Sequence, residues 1–272
     1  MKKIIFALVV LCSLSQNSFG QFHTNLSKSE LGVMVGVSSY IGDLNQFAPY
    51  KEMHLGGGLI YRYNIHSRLS FRANLLYGEL SGNDAKSSID AYKRRNLNFH
   101  TKIFELGAGL EFNYFPFQLG HDRYKGTMYV LAEIAVFRMN PKTNYNGTEV
   151  ELRPLGTEGQ GTPLNKKGFY SLTQLSIPVG VGAKLTVSKR VGFNVEIGIR
   201  KTFTDYIDDV HADSYVDPVK LAAVSSPTTV ALSNRSGNLY GQRGNASTKD
   251  WYLFAGAMIT FSLGEPGRCY SH

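Results

Sequence analysis

Residues 191–202 read Val191-Gly192-Phe193-Asn194-Val195-Glu196-Ile197-Gly198-Ile199-Arg200-Lys201-Thr202. Every second residue from Val191 to Ile199 is apolar, while Gly192, Asn194, Glu196, Gly198 and Arg200 occupy the alternate positions. Strand side chains alternate faces with a period of two, so this segment has one apolar face and one face of charges and glycines. In a soluble sandwich the polar face looks to water. Charges interleaved with glycines instead suit the inside of a narrow barrel whose apolar face meets lipid.

The same alternation predicts eight strands, over about Glu30–Tyr40, His54–Asn64, Leu69–Glu79, Lys102–Phe115, Met128–Arg138, Leu175–Val187, Val191–Thr202 and Trp251–Phe261. The fourth is the cleanest. Phe104, Leu106, Ala108, Leu110, Phe112 and Tyr114 face one way, against Glu105, Gly107, Gly109, Glu111 and Asn113. Each segment has the roughly ten residues that a tilted strand needs to cross a bilayer. Connections alternate between short (63–68, 188–190, the moderate 116–126) and long (41–53, 80–101, 140–173, 204–250). Short periplasmic turns and longer extracellular loops are the outer-membrane pattern, with both chain ends in the periplasm. Aromatic residues gather near strand ends, at Tyr61, Tyr63, Phe71, Tyr77, Phe112, Tyr114, Phe115, Trp251 and Phe261, as rings at a headgroup boundary do. The predicted fold is therefore all-β, an eight-stranded antiparallel transmembrane β-barrel of outer-membrane type.

Export is written at the start of the chain. Met1-Lys2-Lys3 is a basic region, 4–14 is mostly apolar, and Ser18-Phe19-Gly20 supplies small residues for cleavage after Gly20. The apolar run is too short for a membrane helix, which needs about 20 residues. The expected organisation is a signal peptide at 1–20, a periplasmic segment at 21–29, the barrel at 30–263 and a periplasmic tail at 264–272. Removal of the leader takes Cys12 with it and leaves Cys269 alone, which excludes an intrachain disulfide. That thiol is read as incidental, with an intermolecular link or modification as the alternative. The net charge is +8, two of it from Lys2 and Lys3. An exported barrel does not meet nucleic acid, so the clusters Lys93-Arg94-Arg95 and Lys166-Lys167 read as solvated loop charge or as attraction to lipopolysaccharide phosphates or an acidic partner.

Alternation sends Arg62, Arg72, Lys184 and Arg200 into the barrel together with Glu105, Glu111, Glu133 and Glu196. Eight strands leave an interior only wide enough for side chains. Confined charges persist there only when paired and hydrogen-bonded, so the expectation is a plug of ion pairs that closes the channel. A conductive or ligand-carrying lumen is the alternative. Gly56-Gly57-Gly58 and the glycines at 107, 109, 180, 182, 192 and 198 are expected to make room for the long side chains. Gly156-Thr157-Glu158-Gly159-Gln160-Gly161 has no strand-to-helix context and reads as a flexible loop, not a phosphate cradle.

The loop after Thr204 concentrates Asp205, Asp208, Asp209, His211 and Asp213. Aspartate and aspartate–histidine pairs at an outer rim can activate water, and the same oxygens suit calcium. A hydrogen-bonded loop cap is the plainer reading. No serine–histidine–acid set stands out by spacing, although one formed in space would escape such a search.

Three segments carry a resemblance. Leu31-Gly32-Val33-Met34-Val35-Gly36-Val37-Ser38-Ser39-Tyr40-Ile41-Gly42-Asp43-Leu44-Asn45, Arg153-Pro154-Leu155-Gly156-Thr157-Glu158-Gly159 and Thr204-Asp205-Tyr206-Ile207-Asp208-Asp209-Val210 resemble the PorG-like outer-membrane barrels of Bacteroidota. The likeness runs over nearly the whole mature chain. It implies a component of the type IX secretion system, associated with the periplasmic ring formed by PorK and PorN proteins, with no catalytic residues and no cofactor. Tyr40, Gly42, Asp43, Arg153, Pro154, Gly156, Asp205, Tyr206, Asp208 and Asp209 are then candidate docking motifs, or else fold signatures. The expected function is a non-enzymatic barrel that anchors or organises secretion machinery. The alternatives are a general envelope barrel with a structural or ligand-binding role, and an outer-membrane hydrolase or acyltransferase.

Overall fold

The computed structural model describes residues 28–45, 49–237 and 241–264. The expected leader, its cleavage site after Gly20 and Cys269 lie outside the described residues. Among the described residues ten strands form: β1 Ser29–Ile41, β2 Met53–His66, β3 Leu69–Asn83, β4 Asn98–Asn113, β5 Gly126–Arg138, β6 Lys142–Tyr145, β7 Thr148–Glu151, β8 Thr173–Thr186, β9 Val191–Thr202 and β10 Trp251–Ser262. Eight of them close a barrel. β1 pairs with β2 and β10, β3 with β2 and β4, β5 with β4 and β8, and β9 with β8 and β10, every pair antiparallel. Closure leaves no unpaired edge, which is what lets strands cross hydrocarbon.

Alternation places the wall as predicted. On β4, Leu106 is 59% exposed and Leu110 51%, whereas Glu105 and Glu111, their immediate neighbours, are fully buried. The wall is apolar outside and charged inside, an outer-membrane β-barrel. Among the described residues no helix is long and apolar enough to cross a membrane.

Three features depart from the predicted elements. The strands rise further at the loop end: β3 runs on to Asn83, and β4 starts at Asn98 but stops at Asn113, short of Tyr114 and Phe115. The third long loop contains the hairpin β6–β7, tied to β4 through the pair His100–Lys142. Its turn is Asn146-Gly147, both at positive φ (51° and 78°), the two-residue hairpin chemistry that the sequence already carried. Finally, β5–β8 pairing lapses opposite Glu133 and Ile134, beside Pro178, which has no N–H to donate.

The barrel interior is layered. Most of the charged residues fill the half near the short turns, with Arg200 and Glu105 higher, among the aromatic residues of the loop half. Met34, Ile60, Leu76 and Met258 lie at mid-height, and Leu80, Phe99, Ile103, Phe137, Tyr252 and Phe254 form an apolar core toward the long loops. Inward apolar residues such as Ile60 and Leu76 sit next to outward ones, so they give no alternation signal. At the turn end the segment 114–125 folds under the barrel and buries Phe117 and Leu119 as a floor.

Candidate functional site

The luminal charges form two hydrogen-bonded groups. Glu111 accepts from Lys184 Nζ and from Arg62 Nε (3.0 Å). Arg62 continues to Glu30 (2.8 Å), which also accepts from Asn64 Nδ2 (2.6 Å). Arg72 grips Glu196 with both terminal nitrogens and reaches Glu133 through Nε at 3.1 Å. Tyr129 donates to Glu196 (2.6 Å), and Asn74 donates to Glu133. A second group joins Arg200 to Glu105 (3.4 Å), with Tyr252 donating to the same carboxylate at 2.6 Å and the guanidinium lying over the Phe254 ring. All eight charges assigned to the lumen from sequence are buried.

Glu30 is a ninth luminal charge. Its even position in β1 matched the inward set, but it stood at the predicted strand edge. Removing one member of such a network would strand a buried charge at about 3–5 kcal/mol, which is why so many partners converge. Glycines supply the room at particular points. A Cβ on Gly182 would collide with the Tyr129 ring, and one on Gly107 would crowd Asn74 and Glu133. Gly57 does not serve this purpose, since its Cβ would meet the Met34 carbonyl oxygen of the adjacent strand.

At the loop end the three motif segments are one another's partners. Tyr40 donates to Asp208 (2.6 Å) and to Asp250 (2.7 Å). Gly42 is required beside them, because a Cβ there would overlap the Tyr40 hydroxyl and the Asp250 carboxylate. Asp43 accepts from the Asn245 N–H (2.8 Å). Asp209, at φ 64°, accepts from Thr157 (2.5 Å) and Tyr170 (2.7 Å). Glu158 pairs with Arg243 (2.5 Å) and accepts from the His211 and Ala212 N–H groups. Arg153 donates to the Tyr170 carbonyl (2.7 Å), and Tyr206 stacks on Tyr170 with centroids 4.5 Å apart.

Gly156 turns the chain at φ 62°, where a Cβ would strike the Gln160 carbonyl. The segment 156–161 is accordingly an ordered, mostly buried part of the cap rather than a flexible loop. Of the ten motif residues, Pro154 is exposed; Tyr40, Asp43, Gly156, Asp205, Asp208 and Asp209 are buried, and Gly42, Arg153 and Tyr206 partly so. Pro154 apart, their side chains are taken up largely in building the cap.

Arg95 corrects the reading of the Lys93-Arg94-Arg95 cluster as solvated charge. It is buried, clamps Asp84 at 2.7 Å through Nε and Nη2, and donates to the Asp43 carbonyl. No local pattern marks it apart from its two exposed neighbours, since its partners are Asp84, eleven residues back, and carbonyls of Asp43 and Arg243 on other loops.

Burial lifts Asp208 and Asp250 above the ordinary aspartate range. Nearby carboxylates push in the same direction, Asp250 and Asp43 for Asp208, and Asp205 and Asp43 for Asp250. Burial raises Asp209 to about 6 against the opposing pull of Arg243.

The residues weighed for chemistry are arranged otherwise. Asp205 pairs with His211 Nδ1 at 2.6 Å, but His211 Nε2 faces Lys167 Nζ at 2.9 Å. Asp205, Asp208 and Asp209 point to separate partners, and among the described residues no cluster of three or more ligands can hold a metal. A serine, a histidine and an acid do meet in space. Ser81 Oγ lies 2.7 Å from His54 Nε2 and donates to Glu52 (2.9 Å), which pairs with Lys86. The serine stands between base and acid, so the carboxylate does not orient the imidazole as a triad needs.

Charge differs between the two ends. The turn end exposes Lys28, Arg68, Arg123, Lys125, Lys189 and Arg190 against one acid, Asp122, and none of the six cations forms an ion pair with a described residue. The four long connections (42–52, 84–97, 139–172, 203–250) hold acids and bases in equal number.

Solved structures with a similar fold include neisserial surface protein A (TM-score 0.44, 10% identity, 88% of this chain and 99% of that one). Ail, the attachment invasion locus protein of Yersinia pestis, aligns with TM-score 0.40 and 10% identity over 87% of this chain and 99% of its own. OprG from Pseudomonas aeruginosa aligns with TM-score 0.38 and 8% identity over 87% and 97%. No curated protein matches the chain. The model of one family, described as a domain of unknown function (DUF6089), matches residues 2–226, and the chain belongs to that family.

Proposed function

We propose that this chain is a non-enzymatic outer-membrane barrel that anchors or organises type IX protein secretion machinery, meeting a periplasmic ring of the PorK and PorN kind through its turn end. The observation that carries this reading is the exposed cationic turn end beneath a filled lumen. A tube packed with buried ion pairs is a poor conduit, and a cap whose motif residues bind each other leaves their side chains few outward roles. An unpaired positive surface attracts and orients an acidic partner. The resemblance of the three motif segments to PorG-like barrels names the machinery.

The experiment is deletion of the gene, followed by measurement of type IX cargo in the medium and restoration by the wild-type copy. Photo-crosslinkers at Arg123 and Lys189 are expected to capture ring proteins, and crosslinkers in the long loops are not. Unchanged secretion with no ring crosslink would favour a general envelope barrel, a reading that the filled lumen and balanced loops also suit.

A further inference from the structure

The outer wall of the barrel carries a formed cleft at the loop end. It has a volume of about 310 Å³ and lies where β3, β4 and β5 emerge beneath the β6–β7 hairpin. That size is at the lower end of small-ligand sites, about 300–1,000 Å³. Lys102 and Arg138 line it from neighbouring strands. Phe104 pairs with Arg138, so Lys102, two residues along the same outward face, is the diagonal neighbour of Arg138. Both cations are exposed, and neither forms an ion pair with a described residue. Glu79 stands opposite Lys102 in register without closing on it.

One carboxylate, Glu149, lines the cleft, and its charge is already engaged by Lys142 at 2.6 Å and by His100 at 3.4 Å. Directly below the cations the wall turns apolar. Phe104, Leu106 and Val136 are 50%, 59% and 44% exposed on the two strands that carry Lys102 and Arg138. A paired cationic mouth above an apolar wall matches a ligand with a phosphate at one end and acyl chains at the other. Arginine and lysine are the side chains that hold phosphate.

We propose that Lys102 and Arg138 bind the phosphate of a phosphorylated glycolipid of the outer leaflet, whose sugar occupies the cleft under the hairpin and whose acyl chains lie along Phe104, Leu106 and Val136. Free phosphate is the weaker candidate, since it leaves the apolar wall and most of the cleft unused. The proposal is independent of any role in secretion.

The test is native mass spectrometry of the full mature chain in detergent micelles, titrated with diphosphorylated lipid A, dephosphorylated lipid A, phosphatidylglycerol and inorganic phosphate. One diphosphorylated lipid A is expected to be retained, at least tenfold more tightly than the other three. K102A/R138A is expected to weaken it at least tenfold, while K125A/K189A at the turn end, with the same loss of charge, leaves it unchanged. Glu149→Gln removes the cleft's carboxylate and is expected to tighten binding severalfold, a reading that holds even if the double variant misfolds. Equal retention of dephosphorylated lipid A or phosphatidylglycerol, unaltered binding in a folded K102A/R138A, or weaker binding in Glu149→Gln would overturn the proposal.

Discussion

The Tyr40 hydroxyl donates to Asp208 Oδ2 at 2.6 Å, joining the top of β1 to a loop residue 168 positions later. The same hydroxyl reaches Asp250 at 2.7 Å, so one phenol separates two buried carboxylates. Tyr40→Phe leaves both oxygens without that donor, at a cost of about 1–3 kcal/mol. The expected result is faster protease cleavage within 203–250 while the barrel's β-sheet circular dichroism is unchanged.

Gly42 lies against that contact. Gly42→Ala forces the Tyr40 hydroxyl or the Asp250 carboxylate aside and is expected to loosen the same loop. Combining it with Tyr40→Phe should cost less than the two effects added, because both act on one contact. Full additivity in a protease-protection assay would separate the two roles.

Arg72 holds Glu196 with two nitrogens and Glu133 with a third. Arg72→Met strands these carboxylates in the lumen, a loss of about 3–5 kcal/mol. Urea unfolding in lipid vesicles, followed by the fluorescence of the single tryptophan, Trp251, measures it. R72M/E196Q is expected to recover part of the loss. A neutral Arg72→Met would mean that the network contributes nothing to stability.

A filled lumen above a floor of Phe117 and Leu119 predicts an electrically silent protein. Planar bilayers containing the wild-type chain are expected to show no resolved conductance steps. Regular steps would require the interior to rearrange.

Asp209 titrates at about 6 in the folded protein, above an unfolded value near 4. A raised carboxylate pKa favours folding while the group is protonated; the contribution is full below about 4 and is lost as pH rises through 6. Asp208 and Asp250 act in the same direction. Hydrogen exchange, corrected for intrinsic rate, should show greater protection of 204–210 at pH 5 than at pH 7.5. Asp209→Asn should flatten that dependence.

Much of the wall was legible because strand parity is a local property. Glu105, Glu111, Glu196 and Arg200 were placed inside by their neighbours alone, and the same rule places Glu30, the first residue of the predicted strand, inside as well. The Asn146-Gly147 turn of the β6–β7 hairpin lay unread within the third long loop. Inward apolar residues escaped, since Ile60 between Leu59 and Tyr61 breaks the alternation instead of following it. Arg95 escaped for another reason: nothing in Lys93-Arg94-Arg95 tells which side chain turns inward.

From the chain alone came the closed wall, the inward charges and the division into short turns and long loops, because each follows from a periodicity of two and from turn-forming residues close by. Tertiary structure decided who pairs with whom. That Tyr40 meets Asp208, that Thr157 meets Asp209, and that Lys102 and Arg138 share a cleft depends on strand register and loop packing, which bring together groups that no sequence spacing connects.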